Sequence, residues 1–315
     1  MATSLVRRFQ RPILACALLF FIWSGVRGWL DLRERPNYPN FPLPVAGEKV
    51  VVVSPHLDDE TIGIGGLLSQ LHDRGIEVSV LFMTNGDHNP IGANLEYKVG
   101  YPSPELLIQS GEDRQEEGLS AVQQLGIDRH HVAFLGLPDR GLSRLYSPEF
   151  DTKSLVASGT LVDHVPYHLA YQRGMSYTGT ATRAALTRYL KEQQPTLVIT
   201  TAEEDAHSDH SASAKFVRDA VAALPAENRP RTAYFLIHHS NYPRPAGTDS
   251  SKALLPPRAL RSLPWRVVWL DPATLATKKQ ALSEYKSQLV IPQLGRLMRS
   301  MMRQNELLVV RGEGW

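Results

Sequence analysis

The sequence has almost no cysteine. Its one thiol, Cys16, lies in an N-terminal apolar stretch, so one chain can build neither a disulfide framework nor a thiolate metal cluster. Any metal must be held by His, Asp or Glu. A charge excess is also missing: 34 basic and 32 acidic residues leave a formal net charge of +2, too weak a field to recruit nucleic acid. There is no internal repeat. Gly63, Gly65 and Gly66 lack the GxGxxG spacing and follow a pair of carboxylates, which argues against a dinucleotide site. Close backbone packing of the helix that carries them accounts for them better. With 315 residues, 43% of them hydrophobic, the chain has material for one large domain or two small ones.

The first thirty residues stand apart. Arg7, Arg8 and Arg11 precede an apolar run at 13–26, and Gly28, Trp29 and Leu30 follow Arg27. Taken from Pro12 to Leu30, the stretch approaches the roughly 20 residues a membrane-spanning helix needs, provided that Arg27 reaches the interface. Residues 1–30 are therefore expected to form a single hydrophobic helix that anchors the chain, with the catalytic domain outside the cytoplasm. The alternative is a secretory signal cleaved near Val26-Arg27-Gly28. Residues 31–47 contain Pro36, Pro39, Pro42 and Pro44 and are expected to form an extended tether.

From 48 to 315 a single domain is expected. Short apolar runs at 50–54, 77–84, 132–135, 197–201, 232–238 and 266–270 read as strands. Helical patterns at 61–73, 112–125, 180–193, 211–224 and 272–289 alternate with them. Such alternation predicts an α/β fold, a Rossmann-like, parallel-dominated sheet with helices on both faces. Residues 140–179 break the rhythm. They are rich in Tyr, Ser, Gly and His, and too long for a routine connector. The expectation is an insert that walls the substrate crevice with Tyr146, Tyr167, Tyr171 and Tyr177, and that could be shortened without loss of folding.

His56, Asp58 and Asp59 follow the first strand in the segment PHLDDE, and His207 and His210 follow the fourth in HSDH. In open α/β sheets the carboxyl ends of the strands border the ligand crevice. Two strand ends thus bring imidazoles and carboxylates to one place, a donor set that suits a divalent ion with open positions. Adjacent residues leaving a strand point in different directions. One aspartate can therefore ligate while the other takes a proton from an activated water, although an aspartate there can also simply cap the next helix. His207, three residues before His210, can donate to a developing oxyanion or a leaving amine. The pairs His130-His131 and His238-His239 carry less weight, the first at a turn and the second at a strand end.

PHLDDETIGIGG followed by HSDHSA resembles the LmbE-like/PIG-L family of zinc-dependent N-acetylglucosaminyl deacetylases. TNGD at 84–87, a helix with Arg114 and Glu117, LGLPD at 135–139 and KKQALSEYKSQ at 278–288 occur in that family's order. The resemblance covers roughly residues 48–290. It implies His56, Asp59 and His210 as metal ligands, Asp58 as general base, His207 as oxyanion stabiliser, and Arg114 and Asp139 in a sugar pocket. Leu57 and Ser208 stand where the familiar motifs have proline. Asp205 stands where some relatives have tyrosine. The implied activity is hydrolysis of an N-acetyl group on an amino-sugar glycan or glycolipid, with Zn2+, or another divalent ion such as Fe2+, as cofactor. Hydrolysis of another amide or ester, or non-catalytic sugar binding, are the alternatives.

Overall fold

The computed structural model describes residues 25–26, 34–312 and 315. The N-terminal hydrophobic helix expected over residues 1–30 lies almost wholly outside them. Among the described residues no helix is long and apolar enough to cross a membrane.

The strands are β1 (Lys49–Ser54), β2 (Glu77–Thr84), β3 (Val132–Leu137), β4 (Leu197–Thr201), β5 (Arg231–Phe235), β6 (Trp265–Trp269) and β7 (Asn305–Arg311). They form one sheet in the order β3-β2-β1-β4-β5-β7-β6. The pairs from β3 to β5 are parallel, whereas β7 runs antiparallel to both β5 and β6. The parallel-dominated α/β sheet expected from the sequence is therefore present. In β1, Val50 and Val52 join one core, while Val51 and Val53 join the other. A strand buried on both faces has to read as an unbroken apolar run, and VVVV does.

The main helices are α1 (Asp59–Asp73), α2 (Pro90–Tyr97), α3 (Pro104–Gln124), α4 (Gly179–Gln193), α5 (Ser208–Ala222), α6 (Pro272–Leu282) and α7 (Pro292–Ser300). Several starts are fixed by side-chain caps: Thr178 accepts from the Ala181 amide, Asp271 from Thr274 and Asn89 from Gly92. The sequence reading missed α2, α7 and β7. It also ran α6 on to residue 289, whereas the helix stops at Leu282 and a separate turn, Lys286–Leu289, follows. For α2 the signal was there, an asparagine cap with Pro90 in the first turn.

Both sheet edges are covered. Along β6, the Phe41 amide donates to Val267 O (2.9 Å) and Val267 N to Pro39 O (3.0 Å). Part of the segment expected as a tether is thus docked, with Phe41 buried in the core. Along β3, the insert lends the Tyr171 amide to Phe134 O (2.7 Å). Covering an edge removes a template for pairing with other chains.

The insert corrects the expectation of a dispensable tyrosine-lined wall. Tyr167 and Tyr177 are fully buried, and Leu155, Val165 and Met175 join the same core. Tyr146 and Tyr171 are tied to Asp219 and Glu192 on α5 and α4. Burying an apolar side chain contributes about 1.5–3 kcal/mol, and a domain's net stability is only about 5–15 kcal/mol. Replacing residues 145–175 by a short Gly/Ser linker should therefore abolish cooperative thermal unfolding. A linker variant that melts as sharply as the unaltered chain would restore the wall reading.

Candidate metal centre

The sheet order reverses between β1 and β4, since β1 continues to β2 on one side and the chain returns to β4 on the other. Loops leaving neighbouring strands at such a point diverge and open a crevice. PHLDDE leaves β1 here and HSDH follows β4. Their backbones are pinned: Thr84 N and Oγ1 donate to Pro55 O (3.0 and 3.1 Å), and Thr201 Oγ1 donates to His210 O (2.9 Å).

Three donor atoms meet at one spot. His56 Nδ1 lies 3.0 Å from Asp59 Oδ2 and 3.2 Å from His210 Nε2, and those last two are 3.1 Å apart. Bonds of about 2.0–2.1 Å to a tetrahedral ion would set such ligands about 3.3 Å apart. The residues present therefore fit a divalent cation. The atoms behind them fit as well. His56 Nε2 lies 3.3 Å from Asp139 Oδ1 and 3.4 Å from Asp209 Oδ2. His210 Nδ1 lies 3.2 Å from Asp205 Oδ2, a charge contact off the ideal hydrogen-bond line. A carboxylate on the far nitrogen fixes the tautomer that turns the near nitrogen's lone pair toward a metal.

Sequence reasoning missed these supporting carboxylates. Asp205 accepts from the amides of His207 (2.9 Å), Ile237 (2.9 Å) and His238 (3.0 Å), so it ties the loop after β4 to the end of β5. Asp209 accepts from Arg140 N (2.6 Å) and Leu142 N (3.1 Å), drawing the start of the insert to the site. Asp87 accepts from Asp139 N (3.2 Å) and from the Tyr167 hydroxyl. His238, given little weight from sequence, also belongs to the cluster: ligand atoms of Asp59, His210 and His238 lie within 4.8 Å of one another.

The other expected residues divide. Asp58 is buried, at φ +136° in a region non-glycine residues rarely adopt, and its side chain makes no capping bond to α1. The capping alternative thus gives way to a buried carboxylate that makes no cap, and strain of this kind gathers at functional sites. His207 caps α5, its Nδ1 accepting from the Asp209 amide (3.3 Å), which leaves Nε2 as the nitrogen to carry a proton. The guanidinium of Arg114, which the resemblance implies in a sugar pocket, is buried and donates to Gly86 O (2.6 Å) and Leu57 O (3.0 Å). Gly86, at φ +63°, has to lack a side chain, because a Cβ there would run into that guanidinium. Glu117, which could have paired with Arg114, instead accepts from Ser287. Asp139 accepts from the His88 amide (3.2 Å) and steadies His56.

The electrostatics follow from burial among opposed charges. Burial alone would lower His56, but Asp139, Asp209 and Asp59 outweigh it and hold the ring well above its ordinary value. His210, likewise lowered by burial, is carried by Asp59 and Asp205 to about 9. His207 moves the other way, to about 4, through burial and the neighbouring His56 and His210. At neutral pH it is therefore a neutral ring that donates through Nε2–H. Burial, followed by the Asp59 charge, pushes Asp58 well above the carboxylate range. Asp59 is held well below it, since His210 and His56 overcome the opposing effect of burial.

Residues 51–221 match the family described as PIG-L: GlcNAc-PI de-N-acetylase. Among curated proteins, a stretch of 89 residues, 28% of this chain, is 30% identical to diacetylchitobiose deacetylase of Thermococcus kodakarensis. That match spans only 30% of the relative's own length. Among solved structures, the conserved protein TT1542 from Thermus thermophilus is similar at a TM-score of 0.52 and 22% identity, over 85% of this chain and 96% of that one. A triple mutant of a deacetylase of the teicoplanin biosynthetic pathway is similar at 0.51 and 17%, over 84% and 100%. At these identities the likeness is one of fold.

With His210 titrating at about 9 and His56 well above its ordinary value, both rings carry protons at neutral pH in the ion-free chain. A cation has to displace them. Divalent-ion uptake at pH 7 should release about one to two protons and tighten as pH rises toward 9. Calorimetry in buffers of different ionisation heat measures this. Uptake without proton release would contradict the ligand set.

Proposed function

The chain belongs to the PIG-L family, and from that membership we propose that it is a zinc-dependent hydrolase removing the N-acetyl group from an N-acetylglucosamine-type glycan or glycolipid. The observation that carries this reading is the triangle of His56 Nδ1, Asp59 Oδ2 and His210 Nε2, with a carboxylate behind each imidazole. A divalent ion held by these three residues would acidify a water and polarise the amide carbonyl. Zn2+ suits a mixed imidazole and carboxylate set, as does Fe2+.

The chain's own residues do the rest. Asp58, free of any cap bond, accepts the proton of the attacking water. Its raised affinity for that proton, caused by burial, places it nearer the working pH of a general base. The His207 Nε2–H donates to the carbonyl oxygen as that oxygen gains negative charge. Asp58 then returns its proton to the departing nitrogen, and acetate and a free amine remain. Asp139, Asp209 and Asp205 keep the two imidazoles from turning. The apolar run at 13–26 supports a chain held at a membrane outside the cytoplasm, with a lipid-linked or envelope saccharide as substrate. Cleavage of that segment would release the domain instead.

Purified protein supplied with Zn2+ and N-acetylglucosamine conjugates should liberate amine and acetate in equal amounts. Asp58→Asn should keep the ion yet lose activity by about 10²–10⁴-fold, the usual contribution of a general base, whereas Asp59→Asn should weaken ion binding itself. An empty site in Asp58→Asn with a full one in Asp59→Asn would reverse the two roles. Ion-loaded protein that binds the sugar and releases no acetate would mark a non-catalytic relative.

A further inference from the structure

Helix α1, which carries the first motif, is broken. Ile64 has φ −140° and ψ 17°, outside helical values, and is fully buried. In an unbroken helix the Gly66 amide would donate to the Ile62 carbonyl, four residues back. Here Gly66 N donates instead to Glu306 Oε1 (2.7 Å), and Leu67 N to Glu306 Oε2 (2.8 Å). The Ile62 carbonyl accepts from Lys278 Nζ (3.0 Å). Lys278 and Glu306 close the circuit with an ion pair of 2.6 Å. Both side chains are withdrawn from water, at 1% and 0% exposure. An ion pair is thus spliced into one turn of the helix, Lys278 satisfying the freed carbonyl and Glu306 two amides. The glycines of TIGIGG make the splice fit: a Cβ on Gly66 would lie 2.5 Å from Leu270 Cδ2 and 3.1 Å from Glu306 Oε1.

We propose that Lys278 and Glu306 are positioning residues for the candidate centre: their buried ion pair fixes the break in α1, and with it the direction in which the preceding turn presents Asp58 and Asp59. A buried ion pair is a poor source of stability, because desolvation offsets its attraction. What this one supplies is two backbone partners at a defined place. The turn ahead of the break is gripped from the same side, as Tyr285 donates to Glu60 Oε1 (2.5 Å). Lys278 lies on α6, Glu306 on β7, and Tyr285 follows α6, all beyond the family match at 51–221. Residues from α6 to β7 therefore take part in the site although they contribute none of its candidate ligands. The roles of Asp58 and Asp59 rest on the proposed function.

The test is Lys278→Met in the full chain, with Glu306→Gln, which keeps the shape and one acceptor oxygen, as the variant to use if the first does not fold. Removing residues that orient ligands weakens metal binding about 10- to 100-fold. The dissociation constant for Zn2+ should rise by that factor, the visible spectrum of the Co2+-loaded chain should shift, and kcat should fall with KM little changed. A variant that melts at lower temperature while its Zn2+ affinity, Co2+ spectrum and kcat equal those of the unaltered chain would overturn the proposal and leave the pair a purely structural one. If the unaltered chain takes up no ion, the hydrolase reading fails separately. The positioning claim is then decided by amide exchange at residues 57–62, which has to quicken in Lys278→Met and overturns the claim if it does not.

Discussion

A carboxylate taken out of water without compensation costs several kcal/mol, and here Asp58, Asp59, Asp205 and Asp209 are all buried around the half-buried His56 and the fully buried His210. The rest of the structure is arranged around that cost. Asp205 and Asp209 are offset by backbone amides, five in all, from His207, Ile237, His238, Arg140 and Leu142. Asp59 takes the His56 amide (2.9 Å) and lies against both rings. What stays unbalanced is the meeting of His56 Nδ1, Asp59 Oδ2 and His210 Nε2. Protons can bridge them at neutral pH, and a divalent cation satisfies all three at once.

The amide donors come from far apart in the chain, which is why the whole sheet takes part. The switch between β1 and β4 brings the two motifs together. β5 ends beside them and supplies the amides of Ile237 and His238. The loop after β3 supplies Asp139 and the amides of Arg140 and Leu142, and is steadied by Asp87, itself held by Tyr167 from the insert. A long irregular segment thereby becomes part of the framework behind His56, and its buried tyrosines are explained without a substrate.

The alternating fold and the converging residues of PHLDDE and HSDH were legible in the sequence because each rests on local pattern: apolar runs for strands, and His and Asp just past their ends. The layer behind them was not. Nothing in the spacing of Asp205 or Asp209 tells that their carboxylates turn back onto the far nitrogens of His210 and His56. Arg114 reads only as a helix residue implied in a sugar pocket until the loops whose carbonyls it holds are in place. The run that forms β7 escaped notice for a related reason. It runs antiparallel in a sheet read as parallel, and Glu306 at its start looks like an interruption, although it is the partner of a broken helix 240 residues earlier in the chain.

The most direct measurement of the central claim is a crystal structure of the Zn2+-loaded chain with anomalous differences recorded across the zinc absorption edge. The account predicts one strong peak about 2.0–2.1 Å from His56 Nδ1, Asp59 Oδ2 and His210 Nε2, with Asp139 and Asp205 still against the far nitrogens. A peak held instead by His207 and His238, or no peak between β1 and β4, would contradict it.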